Sequence, residues 1–107
     1  MRKITKQACY ALENSKNFKS DNTQVTYEPD REVARMFLWG NEIARKFDDG
    51  SLYVNLCGYN TVTTRERLNG LCGVSITTRK GQPILNGVNV KSNGWICVLD
   101  TYTGEGI

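Results

Sequence analysis

The sequence predicts an α+β fold in one domain spanning residues 1–107: an N-terminal helix, an antiparallel meander of three to four strands, a short capped helix, and a C-terminal segment of three strands in hairpins. Three observations predict it. Residues 3–14 carry apolar side chains at helical spacing, later stretches alternate apolar and polar with period two, and Gly-Asn, Asp-Gly and Asn-Gly pairs punctuate those stretches where hairpins turn. With 107 residues, 39% of them hydrophobic, the chain can build one modest core, and its near-average charge excludes the disordered class.

The elements follow in order. Ile4, Ala8, Ala11 and Leu12 form one apolar stripe, and Asn14 to Asn17 supply stop signals. Phe18 is the expected anchor after the helix. Residues 23–27 alternate as a strand closed by Pro29-Asp30. The run from Val33 to Trp39 carries apolar side chains on both faces, which predicts a central strand with Trp39 packed into the structure. Gly40-Asn41 is read as the tight turn into residues 43–47, and Asp48-Asp49-Gly50 as the turn into Leu52 to Cys57.

Thr63-Thr64-Arg65-Glu66 reads as a capping box, in which the Thr63 hydroxyl accepts from the Glu66 amide and the Glu66 side chain reaches back. The helix it opens sets Leu68 inward and ends at Gly70 in a left-handed cap. Val74 to Thr78, Pro83 to Leu85 and Val88 to Val90 return to strand, with Asn86-Gly87 as a type I′ hairpin turn. Trp95 to Leu99 is read as the last strand and residues 100–107 as a frayed tail.

Net charge is +3 and unevenly placed: residues 1–19 hold five basic side chains against one acidic, while the rest of the chain sums to −1. A basic end of this kind marks either a solvated helix face or a contact with nucleic acid or an acidic protein surface. No apolar run approaches the ~20 residues of a membrane span, and no cleavable leader pattern follows the basic start, which predicts a cytoplasmic protein. Cys9, Cys57, Cys72 and Cys97 are widely spaced with no paired ligands, so they read as small buried hydrophobes rather than zinc ligands.

Catalysis is not expected. The chain has no histidine, which removes the Ser-His-Asp, Cys-His and two-histidine metal sites together. No phosphate-cradling glycine loop is present, and the carboxylate pairs Glu28/Asp30 and Asp48/Asp49 sit where turns are expected. No cofactor is expected either. The remaining reading is a binding surface, placed on the basic residues Lys3, Lys6, Lys16 and Lys19 and on Tyr59, Asn60, Arg65 and Arg67 around the second helix. Nucleic-acid binding through the same cations together with Arg79 and Lys80 is the alternative, although no known nucleic-acid-binding pattern occurs.

Three segments carry a resemblance: Asn17-Phe18-Lys19-Ser20, Trp39-Gly40-Asn41-Glu42-Ile43-Ala44, and Gly58 through Gly70 with its Thr-Thr-Arg-Glu-Arg-Leu-Asn-Gly block. Together with Leu85-Asn86-Gly87 and Gly94-Trp95, they resemble a group of small proteins carried by tailed bacteriophages and prophages. The resemblance implies a phage origin, and no catalytic residues come with it. It suggests an anti-defence inhibitor that occupies a host protein or ribonucleoprotein complex, such as a CRISPR effector. A homo-oligomeric sponge for a nucleotide immune signal and a small nucleic-acid-binding accessory protein are the other two expectations.

Overall fold

A computed structural model describes residues 1–103. Helix α1 (Lys3–Glu13) is followed by five strands in sequence, β1 (Phe18–Ser20), β2 (Thr23–Glu28), β3 (Val33–Leu38), β4 (Asn41–Phe47) and β5 (Leu52–Val54). Helix α2 (Val62–Leu68) leads to β6 (Ile76–Arg79), β7 (Gln82–Leu85) and β8 (Val88–Asn89), and the described chain closes with β9 (Ile96–Cys97) and α3 (Val98–Thr103). The strands make a six-stranded antiparallel sheet in the order β1-β2-β3-β4-β5-β9 and a separate three-stranded sheet, β6-β7-β8. The expected α+β class, with its helix, meander, small helix and late hairpins, is the class observed.

One face of the large sheet builds the core. Val25, Met36, Ala44 and Val54 lie in one cross-strand row and are buried, packing in a single cluster with Ala8, Ala11 and Leu12 of α1, Leu68 of α2, Ile76 and Leu85 of the small sheet, and Val98 of α3. The buried stripe of α1 is Thr5, Ala8, Cys9, Ala11 and Leu12. Ile4 is only half-buried, because the helix is rotated to bring Thr5 and Cys9 against α2. Between β3 and β4 the register shifts: Met36 pairs with Ala44 but Phe37 pairs with Glu42, leaving Ile43 as the extra residue of a bulge. Ile43 and Ala44 are consequently both buried.

Several expectations are corrected. The α2 cap is Thr61, not Thr63: the Thr61 hydroxyl accepts the Thr64 amide at 3.2 Å from an extended backbone. Thr63 falls inside the helix, and Glu66 does not reach back along α2. Its carboxylate accepts instead from the Thr5 hydroxyl and the Arg2 amide, at the start of α1, a helix with no acidic residue in its own first turn. Glu66 thus supplies the N-terminal anion of the other helix. Gly70 is not left-handed; the helix ends at Asn69 with φ −67°. A Cβ at Gly70 would lie 2.6 Å from Cys9 Sγ and 2.8 Å from Thr5 Cγ2, so this glycine exists to let α1 and α2 touch.

The β3–β4 turn is Trp39-Gly40, one residue earlier than expected, since Leu38 pairs with Asn41. The last strand keeps only Ile96–Cys97, and Val98–Thr103 coil into α3 with Val98 and Thr101 buried. The expected frayed tail is therefore helical as far as Thr103, and residues 104–107 lie outside the described residues. All four cysteines are free; Cys9 is buried as expected, but Cys72 is exposed.

Candidate binding surface on the open face of the large sheet

The face of the large sheet turned away from the core has its own order. Cross-strand register places Lys19, Gln24, Phe37 and Glu42 in one row and Thr26, Arg35, Arg45 and Tyr53 in the next. Phe37, Phe47, Tyr53 and Trp95 are absent from the core cluster and belong to this second surface. Arg35 and Arg45 are direct cross-strand partners, a like-charge pair that is unfavourable unless neutralised. Glu42 neutralises it. One of its oxygens takes Arg35 Nη1 at 2.9 Å and Arg45 Nε at 2.8 Å, while Glu28 takes Arg35 Nε at 2.5 Å. The carboxylates of Glu28 and then Glu42 hold the Arg35 guanidinium even more firmly protonated than usual.

Arg45 continues the network into an aromatic, its Cζ lying 4.0 Å from the Trp95 ring centroid. Next to it Phe47 and Tyr53 meet edge to face at 5.8 Å. The surface is therefore pre-ordered: its arginines are fixed by two carboxylates and a ring before any partner arrives.

Trp39 stands at the end of this face. Among the described residues three two-residue hairpin turns share positive φ at both central residues, the type I′ geometry: Trp39-Gly40 (53°, 80°), Lys80-Gly81 (53°, 80°) and Asn86-Gly87 (50°, 84°). Lys and Asn at the first position are polar and short or flexible. A tryptophan there carries a left-handed cost of about 1–2 kcal/mol and leaves 70% of its surface in water. The packing expected for Trp39 from sequence is thus absent. A cleft of about 490 Å³ opens on its sheet-face side, floored by Phe37, Gln24 and Thr26 and rimmed by Lys19. A second cleft of about 310 Å³ lies on its other side, running past Leu56 to Tyr59, Thr61 and Thr63.

The family model of the Kyanoviridae Gp96 protein matches residues 1–103. The chain belongs to the Kyanoviridae Gp96 protein family. That makes it a bacteriophage protein, the origin implied by the sequence resemblance. No curated protein and no solved structure matches the chain.

In this chain the eight residues expected to form one binding surface are divided among four environments. Lys3, Lys6, Lys16 and Lys19 are exposed, with Lys6 and Lys16 on a groove along α1 and Lys19 between that groove and the Trp39 cleft. Tyr59 is 56% exposed and joins Trp39 across the smaller cleft. Asn60 and Arg65 hold each other, Arg65 Nη1 donating to the Asn60 side chain at 2.6 Å, and the Asn60 amide donates to Thr78 and to the Gly81 carbonyl. Their first task is tying the loop before α2 to the β6–β7 hairpin. Arg67 is wholly buried, and a contact role for it is corrected to a structural one.

Sequence reasoning missed Arg35, Phe37, Glu42, Arg45 and Trp95 as a unit. The signal was present in the alternation Arg35-Phe37-Trp39, which puts one charge and two rings on a single strand face. The bulge hid the rest by reversing the parity of Glu42 relative to Arg45. Among the described residues no group of three or more Cys, Asp or Glu is placed to hold a metal, and no helix is long and apolar enough to cross a membrane. What the surface offers chemically is rings, a fixed guanidinium pair and hydrogen-bonding amides.

Proposed function

We propose that this phage protein is a non-enzymatic binding protein of the host cytoplasm that covers a surface on a host protein complex, as an anti-defence inhibitor of a CRISPR effector or another immune complex would. The observation that carries the reading is Trp39: an exposed tryptophan held in a left-handed turn, where folding alone favours Asn or Gly. Strain of this kind with no compensating packing points to a requirement outside the fold. Tryptophan, tyrosine and arginine are also the residues that dominate protein–protein binding energy, and the same face carries Trp95, Tyr53, Arg35 and Arg45. The absence of histidine and of a phosphate loop supports the non-enzymatic part.

The test is affinity capture from a host lysate with the wild-type chain and the Trp39→Asn variant, read by mass spectrometry for proteins and small molecules together. A host complex retained by the wild type and lost with Trp39→Asn is the expected result. Three results would overturn the reading: capture indifferent to Trp39, a nucleotide released on heating with no protein partner, or salt-sensitive retention on DNA or RNA alone. The second would favour the sponge and the third the nucleic-acid accessory.

A further inference from the structure

On the side of the molecule away from the open sheet face, α1 and the loop into β1 enclose a groove of about 350 Å³. Its floor is Ala11 and Phe18, one rim is Lys6 and Tyr10, and the other is Lys16 and Asn17. Tyr10 is 59% exposed although it lies mid-helix, and Phe18 is only half-buried. Past Phe18 a second depression continues to Lys19, sharing Asn17 and Phe18 with the first. No acidic side chain lines either one.

Of the fourteen lysines and arginines, four are held by carboxylates among the described residues, and the lysines of this groove are not among those four. Arg31, Arg35, Arg45 and Arg67 are each paired with a carboxylate of the same chain. Lys6, Lys16 and Lys19 make no ion pair among the described residues, so their charge is available to something else. An apolar floor between unpaired cations is complementary to a ligand with a large apolar group between anions.

We infer that the Lys6–Tyr10–Lys16–Phe18 groove docks an acidic peptide segment of a protein partner, with an aromatic or large aliphatic side chain of that segment seated on Phe18 and Ala11. A nucleic acid fits less well. Its affinity depends on the number of phosphates neutralised, and three lysines supply a small term. The inference rests on the reading that the chain binds a protein, but on a different surface from Trp39.

The experiment measures fluorescence anisotropy of a labelled peptide of alternating Asp and Glu around a central Phe, against the full chain at physiological salt. Binding is expected to weaken by at least about tenfold in the Lys6→Glu/Lys16→Glu double variant and in the peptide with Phe replaced by Gly. Tyr10→Ala should weaken it less, and Trp39→Asn should leave it unchanged. Lys6, Tyr10, Lys16 and Trp39 are all exposed, and circular dichroism verifies that the variants are folded. The inference is overturned if the peptide shows no saturable binding, if the charge reversal leaves its affinity intact, or if single-stranded DNA of equal charge binds more tightly. A chain that captures a host complex through Trp39 yet ignores the peptide would sink this inference alone.

Discussion

Arg67 on α2 donates from Nη1 to the Thr5 hydroxyl on α1 at 2.8 Å, from inside a side chain with no solvent exposure. The same guanidinium reaches Thr23 from Nε at 2.9 Å and Glu66 from Nη1 at 2.5 Å, so one cation joins both helices to the β1–β2 turn. A buried charge of this kind persists only because every direction around it is satisfied. Replacing Arg67 with Met should cost about 3 kcal/mol, because Glu66, Thr5 and Thr23 lose their shared donor. Urea denaturation of wild type and variant measures it directly, with a lower midpoint and an unchanged slope expected.

The pH dependence of stability should carry the signature of Glu66. Partial burial raises the pKa of its carboxyl, but the hydrogen bonds from Thr5 and the Arg2 amide and the Arg67 charge outweigh that and hold it below the ordinary 4.5. A depressed acid contributes stability that is complete above its unfolded value and is lost as pH falls through the native one. Glu66→Gln should therefore be less stable than wild type near neutral pH, by about 2 kcal/mol from the weakened charged hydrogen bonds. The difference should shrink as pH drops below 4.5. Urea midpoints of the two proteins across that range test it, and a constant gap would contradict the assignment.

Gly70→Ala should be destabilising by about 1–3 kcal/mol, as expected for overpacking in a closed helix contact. The added methyl meets Cys9 Sγ and Thr5 Cγ2. Combining it with Cys9→Ala removes the nearer obstacle, so the double variant should be more stable than the sum of the two single changes. A double-mutant cycle reads the coupling.

Thiol labelling should separate the four cysteines. Burial, followed by the nearby Glu13 and Glu66 carboxylates, pushes the Cys9 thiol up to about 12. Its Sγ–H is also committed to the Arg67 carbonyl. Cys57 is raised too, by burial and then by Glu42. Cys72 alone is exposed. Iodoacetamide at mildly alkaline pH should modify Cys72 first, the Cys72→Ser variant should lose the fast phase, and Cys9 should react only after unfolding.

Trp39→Asn should do two opposite things. It relieves the left-handed penalty, which predicts a gain of about 1 kcal/mol in stability. It also removes the ring between the two clefts, which predicts loss of partner capture. A thermal shift upward together with a lost pull-down is the combined readout, and a destabilised variant would contradict the turn argument.

The parts of this fold that were legible in the sequence are those where a local rule acts alone. Asn86-Gly87 announces its turn because both residues tolerate positive φ, and the Asn86 side chain then fixes the site by accepting the Ser75 amide and donating to the Gly73 carbonyl. The Thr63-to-Gly70 block was correctly seen as a helix, but its capping logic was misassigned. Thr61 and Thr63 obey the same rule, and the Glu66 carboxylate that would complete a box with Thr63 is held by Thr5 and the Arg2 amide on α1 instead. Arg67 looked like a surface cation because arginine usually is one, and its burial follows from partners more than forty residues away along the chain. Trp39 was placed inside by its hydrophobicity, when the hairpin register decided its position.

The bulge at Ile43 has a consequence for how the hairpin tolerates change. Were the strand to run regularly through Ile43 with no residue bulged, Glu42 would turn inward, toward the face where Met36 and Leu38 are buried. Arg35 and Arg45 would then face each other across the strands without an anion between them. The irregular strand is the one that keeps an acid out of the oil and two bases at peace, while Ile43 and Ala44 are buried side by side.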